Sequence, residues 1–152
     1  MGQHYSAPAA VMLLMFREHE GRRQVLLQHR HNVKVLNDLW DTAVTGHVEK
    51  GESLREALAR EAREELGITI RPEDLVFSSF GHILVRPGFT YYNIYFEASA
   101  YLGEPVIAEP DKCDAIGWFD VEDLPADIIP ERAQAIRDHF MDVHYHEAGF
   151  ET

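Results

Sequence analysis

The segment "GHVEKGESLREALAREAREELGI", Gly46 to Ile68, contains six glutamates with four lysine and arginine residues interleaved among them. Like charges three or four residues apart on a helix destabilise it by a few tenths of a kcal/mol per pair. Such a segment is therefore either an ordinary solvated helix face or a site that holds a cation. Other features of the sequence are needed to decide between these interpretations.

The segment has the sequence features of a complete helix over residues 54–66. Ser53 stands at the N-cap position and Glu56 follows three residues later, which is the capping-box pattern. Apolar residues recur every four positions and form one stripe, consisting of Leu54, Leu58, Ala62 and Leu66. Gly67 occupies the position at which a helix commonly ends. The pattern predicts a helix with a capped start and one buried face.

Composition predicts one globular domain over residues 1–152, because the 45% hydrophobic and 26% charged residues are ordinary proportions for a globular chain of this length. No apolar run is long enough to span a membrane, and the N-terminus lacks the pattern of a secretory signal. Cys113 is the single cysteine, so an internal disulfide framework is excluded. These features predict a cytoplasmic protein without membrane partners.

The formal net charge of −12 restricts the ligands that the protein can bind. An acidic surface repels the phosphate backbone, so we do not expect a nucleic-acid duplex as a partner. A small phosphate-bearing substrate meets the same repulsion. Metal cations or local arginines would have to offset the charge.

Outside this helix, strands dominate the predicted structure. Residues 9–16 and 24–27 are predicted to form a hairpin or two neighbouring strands, and residues 31–39 a loop. Further strands are predicted at 41–45, 76–85, 90–102 and 115–119, and a final helix at 131–143. Strands alternating with two helices predict an α/β fold, a mixed sheet sandwiched between helices.

On the predicted helix, three carboxylates converge on one face. Glu61 and Glu65 lie one turn apart, and Glu64 lies three residues from Glu61. Such an oxygen-rich set suits Mg²⁺ or Mn²⁺. Arg60 can offset part of the repulsion, and the loop before the helix can bring Glu52 to the same face. Most charge-rich helices are nevertheless only solvated faces, so the cluster alone leaves both interpretations open.

The spacing of the fixed residues resembles the Nudix box, G-x5-E-x7-R-E-U-x-E-E-x-G-U. The matching residues are Gly46, Glu52, Arg60, Glu61, Glu64, Glu65, Gly67 and the bulky apolar Ile68. Seven fixed residues, each at about 7% usage, match by chance roughly once in a hundred million starting positions. Ala62 departs from the pattern, which usually has a larger aliphatic residue there, and this predicts looser packing.

The resemblance implies a fold, a cofactor and a reaction. It implies the Nudix α/β/α sandwich, bound Mg²⁺ or Mn²⁺, and attack by water on a phosphorus of a nucleoside diphosphate derivative such as a nucleotide, ADP-ribose or a nucleotide sugar. It implies metal ligation by Glu61, Glu64 and Glu65, supported by Glu52 directly or through water. Arg60 would orient these carboxylates. A homodimer is a further expectation from the family.

A late glutamate is a candidate base. By the resemblance, Glu109 in "GEPVIAEPDKC" falls where some members carry a catalytic glutamate, with Glu104 as a weaker substitute. The alternative is that Glu109 is simply an acidic residue of a loop.

Outside the box, substrate contacts are less clearly indicated. Arg30 and Arg86 are candidates for phosphate contacts, and Trp40 is a candidate for stacking on a base. Phe89, Tyr91 and Tyr92 are further stacking candidates. Surface solubility for the arginines and core packing for the aromatic residues are the alternative interpretations. His144 and His146 form an H-x-H pair, which we expect to lie in a solvent-exposed tail.

Two other functions are alternatives to hydrolysis. A Nudix-fold sensor that binds a nucleotide without cleaving it often lacks box carboxylates, whereas this chain retains all of them. The isopentenyl diphosphate isomerase branch shares the fold but needs a cysteine early in the chain, and Cys113 lies late. The sequence therefore favours a hydrolase, with the sensor as the alternative.

Overall fold

The computed structural model describes residues 3–151, so residues 1, 2 and 152 of the predicted domain lie outside it. The helices are α1 (Leu54–Leu66) and α2 (Pro130–Phe140). The strands are β1 (Ala9–Leu14), β2 (Phe16–His19), β3 (Arg22–Arg30), β4 (Trp40–Thr42), β5 (Val44–His47), β6 (Leu75–Arg86), β7 (Phe89–Ala98), β8 (Cys113–Asp120) and β9 (Tyr145–Ala148).

The strands form two sheets, whereas the sequence predicted one. The first is mixed, with strand order β5-β1-β7-β6-β9. In the second, which is antiparallel, β3 is central and pairs with β2, β4 and β8. The predicted hairpin is only partly confirmed, because Phe16 pairs with Val25 while β1 belongs to the other sheet. The apolar run 9–16 is thus divided between two sheets.

The two helices cover opposite faces of the mixed sheet, which confirms the α/β/α arrangement. One buried cluster joins alternate residues of β1 to α1; its members include Val11, Leu13, Met15, Leu58 and Ala62. The other cluster joins the remaining β1 residues to α2; its members include Ala10, Met12, Leu14, Ala135 and Ile136. Because both faces of β1 are buried, its sequence is continuously apolar instead of alternating.

Helix α1 has the predicted limits and the predicted cap. The Ser53 hydroxyl accepts from the Glu56 N–H, and the Glu56 carboxylate accepts from the Ser53 N–H. Gly67 adopts the left-handed conformation (φ 68°) and ends the helix. Leu58, Ala62 and Leu66 are buried, as predicted; Leu54 is exposed, and Ala57 is buried in addition. Ala62 is fully buried in the cluster that joins β1 to α1.

The C-terminal segment differs from the prediction. Helix α2 ends at Phe140 instead of Val143, and Asp142 has a positive φ of 57°. Strand β9 follows and pairs in parallel with β6. The expectation of an exposed tail is therefore wrong for His146, whose imidazole lies 3.0 Å from the Asp138 carboxylate with only 11% of the side chain exposed. His144 is exposed, as expected.

Two of the remaining connections are tight turns, and a third is a loop. Glu20 and Gly21, both with positive φ, join β2 to β3, and Pro87-Gly88 joins β6 to β7. Residues 31–39 form a loop, as predicted. Neither α1 nor α2, nor any other helical stretch within residues 3–151, has the length and apolar character needed to cross a membrane.

Candidate active site

Gly46 lies directly against the side chain of Glu61. A Cβ atom built on Gly46 would stand 2.3 Å from Glu61 Cδ and 2.3 Å from Cγ. Strand β5 therefore brings backbone to a position that only glycine allows, and Glu61 packs into the space that a side chain would fill. This contact explains why the motif needs a glycine fifteen residues before the glutamate.

Arg60 connects three of the predicted carboxylates. Its guanidinium donates to both oxygens of Glu52 (2.7 and 3.0 Å), to Glu61 Oε1 (2.9 Å) and to Glu64 (3.3 and 3.4 Å). It also donates to the His47 carbonyl at 3.2 Å. These bonds, that to Glu52 foremost, raise the pKa of Arg60. A planar guanidinium has five N–H donors, enough to bond several acceptors that lie around it.

Glu52 acts mainly on Arg60 in this arrangement. The bonds from Arg60, and then the N–H of Glu49, hold the pKa of Glu52 below its ordinary value. Since both Glu52 oxygens accept from Arg60, this carboxylate fixes the arginine that orients Glu61 and Glu64. Direct ligation of a metal by Glu52 stays a prediction.

Glu65 is half-buried and depends on a different donor. Its Oε1 accepts from Gln28 Nε2 at 3.1 Å and from the Thr45 N–H at 3.4 Å. Burial, together with the neighbouring Glu61 carboxyl, raises the pKa of Glu65 well above its ordinary value, and the Gln28 donor acts against this shift. Without a cation, the Glu65 carboxyl holds its proton more readily than an ordinary glutamate.

The predicted ligands fit a divalent cation by their chemistry. Within residues 3–151, no three His, Cys, Asp or Glu side chains already stand in a metal-holding arrangement. Glu61, Glu64 and Glu65 nevertheless supply only oxygen donors, and in the part of the chain that the structure describes no Lys or Arg side chain donates to Glu65. A divalent cation would balance the two crowded carboxylates of Glu61 and Glu65.

Glu109 lies in a loop that is bonded to the end of α1. The Ala108 N–H donates to the Glu65 carbonyl at 3.1 Å, and the Val106 N–H donates to the Leu66 carbonyl at 3.0 Å. The Glu109 side chain is 34% exposed and lies 4.0 Å from Lys112 Nζ. The fold thus brings Glu109 next to the turn that carries Glu65, although 44 residues separate them in the chain.

Arg30 is fixed by protein groups. It donates to the buried Asp41 carboxylate at 3.2 Å and to the Val35 carbonyl at 3.1 Å, with 22% of its side chain exposed. Arg132 of α2 donates to the same carboxylate at 2.7 Å. Arg30 therefore shapes loop 31–39, and a role in substrate binding stays a prediction.

The other candidate substrate contacts pack against or bond to neighbouring side chains. Trp40 packs edge-on against His29 (5.0 Å) and Phe119 (4.8 Å), which favours the packing interpretation. Arg86 is exposed at the end of β6 and stacks over Phe89 at 4.4 Å. Tyr91 bonds to His47 at 2.8 Å, next to the carbonyl that Arg60 holds.

Sequence reasoning missed Gln28 and Asp41. Both are buried polar residues, 8% and 0% exposed, beside apolar runs in "VLLQHR" and "LWDTAV". A polar residue among buried strand positions indicates a hydrogen-bonded role. The partner of each residue could not be inferred, because Glu65 and Arg132 lie on other elements, far away in the sequence.

Sequence comparisons agree with this geometry. The family model described as NUDIX domain matches residues 6–140. NAD-capped RNA hydrolase NudC of Stutzerimonas stutzeri is 32% identical over 99 residues, which are 63% of this chain and 32% of that protein. The NudC of Pseudomonas entomophila is 34% identical over 87 residues, 55% of this chain and 28% of that protein. The match thus spans about a third of the length of these relatives.

Structural comparisons give the same fold. The MutT NUDIX hydrolase of Burkholderia pseudomallei superposes with a TM-score of 0.75 at 27% identity, covering 87% of this chain and 97% of that one. The NUDIX domain of Shewanella oneidensis NrtR, complexed with ADP ribose, superposes with a TM-score of 0.72 at 16% identity, covering 90% and 88%. At that identity the second likeness concerns the fold alone.

Proposed function

Because the chain belongs to the NUDIX domain family, we propose that it is a divalent-metal-dependent hydrolase of a pyrophosphate bond in a nucleoside diphosphate derivative. The observation that carries this proposal is the half-buried Glu65 carboxyl next to Glu61, while Arg60 donates to the other box carboxylates, Glu52, Glu61 and Glu64. Such crowding is unfavourable unless a cation balances it. The hydrolase names of the relatives support the same activity.

In this proposal the box residues hold Mg²⁺ or Mn²⁺. The ligand oxygens would come from Glu61, Glu64 and Glu65. Arg60, whose own position is fixed by its bonds to Glu52, orients Glu61 and Glu64. The bound cation would lower the pKa of water and neutralise charge on the phosphoryl oxygens. It would also offset the repulsion between a protein of charge −12 and a polyphosphate.

Glu109 is the proposed base. In support of this role, its loop is bonded through Ala108 and Val106 to the last turn of α1, which carries Glu65. As the base, Glu109 would accept the proton of the attacking water. The proposed substrate contacts are Arg30, Trp40 and Arg86. Arg30 would also act indirectly, because its bond to the Val35 carbonyl fixes loop 31–39.

The test is phosphate and pyrophosphate release over a substrate panel with Mg²⁺, repeated with Mn²⁺. The panel holds nucleoside triphosphates, ADP-ribose, nucleotide sugars, dinucleoside polyphosphates, NADH and NAD-capped RNA. We expect turnover of one class above the others. Glu65→Gln should abolish it, whereas Glu122→Gln, which changes an exposed acid, should not. An unaffected rate in the Glu65 variant would refute the residue assignment.

The alternative function is a sensor that binds nucleotides without hydrolysis. The complete set of box carboxylates weighs against it. Tight nucleotide binding in isothermal titration, with no product under any condition of the panel, would favour it over hydrolysis.

A cytoplasmic location, a homodimer and the lack of duplex binding are further proposals. The family resemblance supports the dimer, and the acidic charge supports the exclusion of duplexes. Light scattering after size-exclusion chromatography tests the oligomeric state.

A further inference from the structure

We propose that Gln28 is a positioning residue that fixes the Glu65 carboxylate for the cation. This inference rests on the proposed function, because it concerns the same metal site. Gln28 lies on β3, outside the box, and its side chain is buried. Its amide nitrogen reaches Glu65 Oε1 at 3.1 Å across the interface between β3 and α1.

The orientation of the Gln28 amide follows from its surroundings. Besides Glu65, the nitrogen faces the carbonyls of Thr42 and Ala43 at 3.1 and 3.2 Å. Three oxygen acceptors surround one position, so the NH₂ end of the amide faces them and its two N–H groups are shared among the three. Since two acceptors are backbone atoms of buried residues, the donor is held in place independently of Glu65.

Two side chains donate the side-chain hydrogen bonds to the box carboxylates. Arg60 donates to Glu52, Glu61 and Glu64. Among the described side chains, the one that donates to Glu65 is that of Gln28. Every box carboxylate therefore has a fixed side-chain donor, and the donor for Glu65 comes from outside the box.

A neutral donor suits this position for an electrostatic reason. An arginine or lysine at residue 28 would neutralise Glu65 and compete with the cation. The Gln28 amide orients Oε1 while the negative charge of the carboxylate remains available. Since Oε1 carries the bonds from Gln28 and Thr45, Glu65 can offer Oε2 to the cation.

The experiment measures Mn²⁺ binding by electron paramagnetic resonance without substrate. Gln28→Leu removes the donor at similar volume, and we expect its affinity for Mn²⁺ to fall about tenfold, as for other residues that orient metal ligands. Gln24→Leu is the matched control, because Gln24 lies on the same strand and donates to Asp120 instead (3.0 Å). The control should bind Mn²⁺ like the unaltered chain.

Turnover gives a second readout that a purely structural role would not change. We expect Gln28→Leu to need more Mg²⁺ for half-maximal rate while saturating Mg²⁺ restores most of kcat. Should this variant fail to fold, Gln28→Asn keeps an amide one methylene shorter, and its affinity should fall as well.

The outcomes separate the two proposals. Unchanged Mn²⁺ affinity in the Gln28 variants, or an equal loss in Gln24→Leu, would overturn the positioning role. Normal Mn²⁺ binding without turnover of any substrate would count against the proposed hydrolysis alone. Failure of the unaltered chain to bind Mn²⁺ would overturn both.

Discussion

Single residues of the box have distinct physical roles, and Gly46 shows this most simply. It contributes no functional group, yet the Glu61 side chain occupies the space where its Cβ would lie. Glu61 in turn accepts from Arg60 at 2.9 Å. The glycine therefore sets the position of a predicted metal ligand through close packing, not through backbone freedom.

Gly46→Ala should accordingly impair turnover without unfolding the protein. We expect kcat to fall at least tenfold, because the added methyl group must displace Glu61. Gly117→Ala is the control, since its Cβ would meet Phe119 at an ordinary 3.4 Å. Steady-state kinetics and a melting curve for both variants check this, and full activity of Gly46→Ala would contradict the packing argument.

At the scale of elements, α1 depends on its capping box. Ser53→Ala removes the acceptor for the Glu56 N–H and leaves a helix donor without its partner. We expect the free energy of unfolding to fall by about 1 kcal/mol. Urea denaturation measures this change. Ser99→Ala, at an exposed serine outside any helix, should cost less, and equal losses in the two variants would argue against the cap.

Strand β9 is an element that lies beyond the residues matched by the family model, which end at 140. Its docking depends on Gly81, because a Cβ there would stand 2.7 Å from His146 Nε2. Gly81→Ala should therefore loosen β9. We expect faster hydrogen exchange of amides 145–148 with unchanged exchange in α1. Unchanged protection of β9 would show that His146 can shift without cost.

The elements also show how far local sequence predicts structure. Helix α1 was predicted to the residue because its cap, apolar stripe and terminal glycine all lie within the segment itself. Strand β9 was missed because its stability comes from β6 and from Asp138, which no pattern near His146 indicates. For the same reason the box predicted Glu65 as a site residue, whereas its partner Gln28 became evident only in the fold.

At the scale of the whole molecule, one buried carboxylate joins elements that are distant in the chain. Asp41 of β4 accepts from Arg132 of α2 at 2.7 Å and from Arg30 of β3 at 3.2 Å. Arg132 in turn donates to the Tyr95 hydroxyl of β7 at 3.4 Å. This network connects both sheets to α2, and through Arg30 it reaches loop 31–39.

This network predicts how stability depends on pH. Burial alone would raise the pKa of Asp41, but Arg132, Arg30 and the Thr42 N–H outweigh burial and hold it below its ordinary value. The folded state thus binds the proton less readily than the unfolded chain, whose aspartates have a pKa of about 3.9. The stabilisation is complete above that pH and is lost as the pH falls through the lower folded pKa.

Urea denaturation between about pH 3 and pH 6 tests this dependence, since Asp41 in the unfolded chain has a pKa of about 3.9. We expect the unfolding free energy of the unaltered chain to fall on the acid side more steeply than that of Asp41→Asn, which has no proton to gain at position 41.

Asp41→Asn should also lower the free energy of unfolding by about 3–5 kcal/mol at neutral pH, because two guanidinium groups lose their buried partner. Asp120→Asn is the control, since its carboxylate lies nearer the surface and accepts from the exposed Arg22. If Asp41→Asn proves too unstable to measure, Arg30→Met keeps the carboxylate while weakening its support. The folded pKa of Asp41 should then lie nearer its unfolded value, so the acid loss of stability should be smaller than in the unaltered chain. Parallel acid profiles for all variants would show that Asp41 does not control the acid stability of the fold.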